Sequence, residues 1–540
     1  MTDQHVSESP SPNPAWTNRP WLGVFGVLLG AMIASFAGRL MSIGIADLRA
    51  GMGLSVDESA WIGTTFNAAM MFIGPFSVYL GAILGARRVL MYCAIVFTFI
   101  SMMLPFCGHG IVFFVLLAFA GLTAGTFYPL TLSFILRNLP PKFILLGIAM
   151  YAMDIVFTTY IAIAVESWYM EHLSWHWIFW NSALLTPVMI VLIGFGIPSL
   201  PIPKPKEGQP RPSWRGFLYF SLGLALLFIA LDQGQRLDWF GSGLIIALLA
   251  SGGFLILCML VRRIASPNPL VHIGFIRQWN IVLLGIVLAF FRLSMLPAVI
   301  VVPNFLSTVR GYKALQTGDT MLWLAFPQII FSLLAMWLMR RVDTRIILAV
   351  GFFATGVGCV LNSQLSPVWS GGNFVYSLLI FAFGFAFAFN GLVGSCVLQA
   401  INTGALERPI DALTYSGFFQ TVRLFGGQLG TAWVLHVIPI REQFHSNVLV
   451  AHANAGNALA IHRFSLLRGG MALHTDGVAG ALRAAGLLGL QIRQQAFVLA
   501  IADVFHLLAW ASLLAIVVVA SMRRVPTQYR QVLTPQEHTA

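Results

Sequence analysis

The sequence predicts an all-α polytopic membrane protein, on three observations. About fourteen apolar stretches of roughly 20 residues follow one another along the chain, each long enough to cross a ~30 Å hydrocarbon core as a helix at ~1.5 Å per residue. Hydrophobic residues make up 58% of the 540-residue chain and charged residues only 9%, a balance that belongs in lipid. The apolar runs are continuous rather than alternating, which excludes a closed β-barrel.

The spans fall near 21–43, 61–84, 88–106, 111–136, 145–166, 177–198, 216–231, 241–261, 280–305, 318–339, 345–363, 374–400, 412–437 and 496–522. Arginine and lysine orient them. Nineteen lie in loops on one side, among them Arg87, Arg88, Arg137, Lys142, Lys204, Arg262, Arg263, Arg340 and Arg523. Nine lie on the other, five of them in one long final loop. Short basic loops stay on the cytoplasmic face, so the alternation implies an even number of spans with both termini in the cytoplasm. The formal charge of +12 is met by anionic lipid at the inner leaflet and calls for no nucleic-acid partner.

In chain order, residues 1–20 form a polar cytoplasmic tail without the apolar core of a cleavable signal peptide. Residues 21–198 supply a first bundle of six helices. Its first span carries Gly26 and Gly30 at the spacing that lets helices approach closely. Its second carries Pro75 and is followed by the basic turn Gly85, Arg87, Arg88. A proline-rich linker, 199–215, separates this bundle from two additional spans, 216–261. Residues 262–522 supply a second six-helix bundle, whose tenth span repeats the pattern with Pro327 and the turn Arg340-Arg341. It includes a long outer loop, 438–495, in which Val478–Leu490 is suited to an amphipathic surface helix; 523–540 is a cytoplasmic tail. Duplicated halves around a midplane site are the architecture of secondary transporters.

The run Ser174-Trp175-His176-Trp177-Ile178-Phe179 opens span 6, and Leu231-Asp232-Gln233-Gly234-Gln235-Arg236-Leu237-Asp238-Trp239 joins spans 7 and 8. Arg423-Leu424-Phe425-Gly426-Gly427-Gln428-Leu429-Gly430 lies in span 13, and Asp503 with Phe505 in span 14. With Trp61 and Pro75, these motifs make the chain similar to the fourteen-span drug:proton antiporter family of the major facilitator superfamily, the EmrB/QacA-type exporters. The resemblance runs along nearly the whole chain and implies the major facilitator fold, two six-helix bundles plus two helices. It also implies proton-coupled export across the inner membrane, with hand-over to a periplasmic adaptor protein and an outer-membrane channel. The chain departs from the family at coupling positions: Ala82 stands for the usual aspartate after span 2, Leu117 for the arginine of span 4, Gly38 or Arg39 for the aspartate of span 1. Ala162-Ile163 and Glu166-Ser167 replace the glycines and proline of the span 5 antiporter motif.

Ionisable groups inside spans cost at least ~2.5–3.5 kcal/mol on insertion scales and mark transport paths. Asp154 in span 5, Arg292 in span 9 and Arg423 in span 13 sit near the midplane; Arg39 and Asp503 lie nearer the outer ends. Asp154, with Asp503, is the proton-coupling candidate, because a carboxyl in low dielectric can bind and release a proton near neutral pH. An aspartate that only ties span 5 to a neighbour is the alternative. Arg39, Arg292, Arg423 and the uncharged Asn390 are the substrate or ion-pair candidates, and the resemblance puts Arg39 and Arg292 on cavity-lining spans. Arg39 near a span end can instead snorkel to water. Gly426, Gly427 and Gly430 point to close packing or gating. Three arginines against two aspartates favour anionic or zwitterionic cargo. Met70, Met71, Phe383, Phe387 and Phe389 suit adaptable apolar cargo.

His172 and His176, spaced as helical neighbours, lie in an aromatic belt of tryptophans and form no closed metal-ligand set. The five cysteines fall at or within spans as small core residues. No nucleotide-binding loop, cofactor motif or nucleophile–base pattern occurs, so a small-molecule transporter drawing on a proton gradient is expected rather than an enzyme. An importer or facilitator of an organic acid or siderophore shares every one of these features, and a non-transporting scaffold or sensor is the third reading.

Overall fold

The computed structural model describes residues 19–108, 110–139, 143–197, 214–265, 278–403, 409–453, 457–472, 477–525 and 529–530. Residues 1–18, 526–528 and 531–540 of the tails, the linker over 198–213, the basic residues Lys142, Lys204, Lys206, Arg211, Arg277 and Arg408, and the side chains of Ala82, Arg137 and Arg263 lie outside them.

Fourteen long helices correspond to the fourteen expected spans. They are α1 (Pro20–Ile43), α2 (Val56–Leu84), α3 (Ala86–Met103), α4 (Ile111–Ala124, resuming as Phe127–Asn138), α5 (Ile144–His172) and α6 (Trp177–Gly196). Then come α7 (Trp214–Gln233), α8 (Gly243–Ala265), α9 (Trp279–Ser294, resuming as Val302–Arg310) and α10 (Ala314–Ala325, then Pro327–Met339). The last four are α11 (Thr344–Asn362), α12 (Val375–Asn402), α13 (Pro409–His452) and α14 (Gly477–Ala520). Twelve of them are long and apolar enough to cross a membrane by length and composition, and α2 and α13 stand at the second and thirteenth expected positions.

Local chemistry sets the boundaries. Ser55 and Glu58 form a capping box at the start of α2: the Ser55 hydroxyl accepts from Glu58 N at 3.1 Å and the Glu58 carboxylate from Ser55 N at 2.9 Å. Asp343 caps α11 by accepting from Arg345 N at 3.0 Å. The breaks in α9 and α10 coincide with Pro297 and Pro327, which cannot donate to the preceding turn. Between α2 and α3, Gly85 adopts φ +85°, a conformation that favours glycine. This turn aims Arg87, whose Nη2 donates to the Gly194 carbonyl of α6 at 2.9 Å.

Helices α1–α6 form one bundle and α9–α14 the other. The bundles meet along α2 with α13, α5 with α10 and α12, and α4 with α13. The inserted pair α7–α8 lies outside both, with α7 against α2 and α13. Burial follows this plan: 83% of the most apolar window around α12 is covered by protein, against 11% for α8, which faces lipid. Glycines permit the closest crossings. Gly26 and Gly30 of α1 take up Ile193 and Met189 of α6, and Gly223 and Gly252 face one another where α7 crosses α8.

The segment 438–495 differs from the expected loop. α13 continues to His452 and α14 begins at Gly477, with a shorter helix, Ala458–Ala472, packed on α14. A chain rich in alanine, leucine and arginine satisfies its backbone by extending the helices beyond the bundle.

Gly391 of α12 is pressed on α11: a Cβ there would stand 2.7 Å from Leu348 N. Gly391→Leu is expected to cost about 1–3 kcal/mol and lower the melting temperature in detergent. Gly253→Leu, on the open face of α8 with nothing within 4 Å of its Cβ, should leave melting unchanged.

Candidate functional site

Charged side chains of α1, α5, α9 and α13 face one another between the bundles. The Arg423 guanidinium lies over the Tyr128 ring of α4 at 3.9 Å, and its Nε donates to Gln420 Oε1 at 2.9 Å. Arg423 stands within electrostatic reach of Asp154 and Tyr151 of α5 and of Arg292 of α9. Arg292 is in reach of Arg39 on α1, and both are in reach of Tyr160. Asp154 and Arg292, mid-span, and Arg39, near the end of α1, are half-buried.

Glycine makes room for one of these charges. A Cβ on Gly427 would stand 2.7 Å from both Nε and Nη2 of Arg292, so the guanidinium occupies the place of the missing side chain. Gly426 and Gly430 bring α13 against Ala289, Leu293 and Leu296 of α9. The three glycines thus seat α9 on α13 and present Arg292 to the interior. An aromatic wall completes the site: Phe291 stacks on Phe389 at 4.7 Å, Tyr151 on Phe389 at 6.5 Å, and Tyr160 on Phe385 at 5.9 Å. The Tyr160 hydroxyl donates to the Met295 carbonyl at 3.4 Å, tying α5 to the second bundle.

Several polar atoms here have no partner: Asp154 Oδ2, Arg39 Nε, Arg292 Nε, the Tyr128 hydroxyl, Gln420 Nε2 and Asn390 Oδ1. No ion pair among the described residues includes Asp154, Arg39, Arg292 or Arg423. The tying role considered for Asp154 as a salt bridge is therefore unfilled in this conformation. Buried polar groups are ordinarily satisfied, and a concentration of unsatisfied ones between two bundles is what a site that binds a polar guest requires.

The other expected residues take other places. Asn390 is fully buried and its amide donates to Ala386 O at 2.8 Å within α12. Asp503 accepts from Arg441 Nε at 2.6 Å and lies 2.7 Å from His445 Nε2, clipping α14 to α13 away from the cluster. Pro75 is buried within α2. Met71 packs with Leu224 and Phe228 of α7, Phe383 stacks on Phe387 at 4.1 Å, and of the apolar candidates Phe389 is the one in the aromatic wall. His172 and His176 stack on Trp168 and Trp175.

Two further acids lie within helices but outside the expected set of site residues. Glu166 of α5 is wholly buried with its carboxyl beside Gly44. Asp232 bonds Thr64 and Gln428 at the end of α7. Span 7 was expected to end at 231, which left Asp232 in a loop; the helix runs to Gln233.

The model of the Major Facilitator Superfamily matches residues 27–431. The probable multidrug resistance protein EmrY of Escherichia coli K12 is 22% identical over 516 residues, covering 94% of this chain and 96% of its own. The multidrug export protein EmrB of Haemophilus influenzae is 24% identical, covering 89% and 91%. The fatty acid resistance protein FarB of Neisseria gonorrhoeae is 21% identical, covering 90% and 91%. Among solved structures, a double-tryptophan variant of XylE superposes with a TM-score of 0.56 at 11% identity, over 96% of this chain and 99% of its own. A human organic anion transporter superposes with a TM-score of 0.52 at 13% identity, over 91% and 99%. Both likenesses concern the fold.

The Asp503 clip is partly open to solvent, with side-chain exposures of 27% for Asp503 and 38% for Arg441, so it is worth about 0.5–1 kcal/mol. Asp503→Asn is expected to lower the melting temperature slightly and to leave proton-linked transport in proteoliposomes intact. Loss of coupling without loss of stability would return Asp503 to the coupling machinery.

Proposed function

The chain belongs to the Major Facilitator Superfamily, and from that premise we propose that it is a proton-driven exporter of small amphipathic or aromatic compounds. The observation that carries this reading is the group of Asp154 and three arginines between the bundles, with Asp154 unpaired. A charged Asp154 attracts Arg423 across the bundle interface, and a protonated one does not. Proton binding thus changes the relative stability of two bundle arrangements, which is how a gradient drives a rocking transporter. The aromatic wall of Tyr151, Phe291 and Phe389 offers flat apolar surface to cargo, and Arg39 and Arg292 offer positive charge to a carboxylate or other anionic group. Basic residues such as Arg87, Arg88, Arg340 and Arg341 support placing their end of the bundle on the cytoplasmic side of an inner membrane. α13, α14 and the helix Ala458–Ala472 then project on the outer side, as a docking surface for a periplasmic adaptor that leads to an outer-membrane channel.

In proteoliposomes with a pH-sensitive dye, Asp154→Asn should abolish proton movement linked to cargo while the protein elutes as a single folded species. Unchanged coupling removes Asp154 from this role. Removing 458–472 should abolish cross-linking to a co-expressed periplasmic adaptor and leave transport by the purified protein intact. Cross-linking that survives the deletion places docking elsewhere.

A further inference from the structure

Asp232 lies outside the central cluster, and its carboxylate joins three helices. Its Oδ2 accepts the Thr64 hydroxyl of α2, and its Oδ1 accepts Gln428 Nε2 of α13 at 2.7 Å. α2 belongs to the first bundle and α13 to the second, so one carboxylate bonds both bundles from a helix that belongs to neither.

The two attachments are unequal. Towards α2, Gln233 Nε2 donates to the Ala60 carbonyl at 3.1 Å and to the Thr64 hydroxyl at 2.5 Å. Arg236 pairs with Asp57 at 2.5 Å, lies 5.9 Å from the Trp61 ring, and steadies Gln233 by donating to its Oε1 at 2.6 Å. Towards α13 there are two polar contacts, Asp232 with Gln428 and Gln235 Oε1 with His436 Nδ1 at 2.8 Å. Apolar packing divides the same way. Ala68 and Met71 of α2 form a buried cluster with Leu224 and Phe228 of α7, and Leu424 and Phe425 of α13 touch only its margin.

We propose that α7 is a clasp: it travels with α2 as part of the first bundle and holds the α2–α13 interface shut at the Asp57 end through the Asp232–Gln428 and Gln235–His436 contacts, which break when that end opens. This rests on the alternating-access reading above. Asp232 and Gln428 are positioning residues for the cycle, since neither touches the central cluster. The Asp232–Gln428 bond is charge-assisted and exists only in the closed arrangement, so its loss weakens that arrangement alone. Removing one such bond favours the open form by about tenfold.

The test measures the opening of that end directly. Spin labels are placed on Leu173→Cys and Val368→Cys, exposed positions after α5 and between α11 and α12, in the full chain with its native cysteines replaced by serine. Gln428→Ala and Asp232→Ala should each shift the distance distribution towards the longer separation by about tenfold in population ratio. Thr64→Val should leave it near the parent's, because Ala60 and Asp57 still hold α7 on α2. Parent-like distributions in folded Gln428→Ala and Asp232→Ala proteins overturn the clasp. Equal lengthening in Thr64→Val overturns the assignment of α7 to the first bundle. A single short distance in every variant, with or without cargo, overturns alternation at this end and the clasp with it. Alternation in the parent with unresponsive variants sinks the clasp alone.

Discussion

Charge that lipid will not accept governs the interior of this molecule. Asp154, Arg39, Arg292 and Arg423 sit on four helices that would each be costly to insert alone, and they share that cost by facing the same interior. The neighbouring side chains are chosen accordingly. Tyr128 presents its ring face to the Arg423 guanidinium, Gln420 accepts from it, and Gly427 gives up its side chain so that Arg292 can lie flat on α13. What is withheld is an ion pair. A tight Asp154–arginine bridge would satisfy the charges and fix the bundles in one arrangement, whereas near approach without pairing leaves the charges unsatisfied between them.

The same economy of polar contact explains how the helices hold together. Between helices in lipid the hydrophobic effect offers little, so association depends on close backbone approach and on hydrogen bonds. α11 and α12 use the first, with Gly391 against Leu348 and Gly351 against Ala388. α7 uses the second at its Asp232 end and glycine contact with α8 where Gly223 meets Gly252. The inserted pair is therefore an attached structural element with directional bonds, while α8 remains its lipid-facing flank.

Much of the architecture was legible in the sequence, because span length and arginine placement are one-dimensional signals. Fourteen runs became fourteen helices, and Arg423 with its glycines was recognised as a unit before its partners were known. Partnership itself was not legible. That Gly427 faces Arg292, or that Tyr128 carries Arg423, depends on the rotation of helices far apart in sequence. Asp232 was overlooked for a simpler reason: a span boundary drawn two residues early moved a membrane-embedded acid into a loop. Residues 438–495 read as polar and therefore as loop, although alanine-rich polar sequence propagates a helix already nucleated in the membrane. Glu166 stands where the family carries glycine, and the structure buries it against Gly44 with Asp47 as its acidic neighbour.

α13 combines these features in one rod. It carries Arg423 and Gln428 within the bundle interface and continues to His452, about 43 Å along its axis from Arg423 at the rise of an α-helix. Pro439 removes one hydrogen bond from the rod, and the Asp503 contacts with Arg441 and His445 brace the turn that follows. A rod stiffened just past its weak point behaves as a lever. A tilt of about 10° at the cluster displaces the far tip by about 7 Å over that length. A rearrangement at the cluster is thereby delivered as a displacement at the far end of the rod, with no relay between the two.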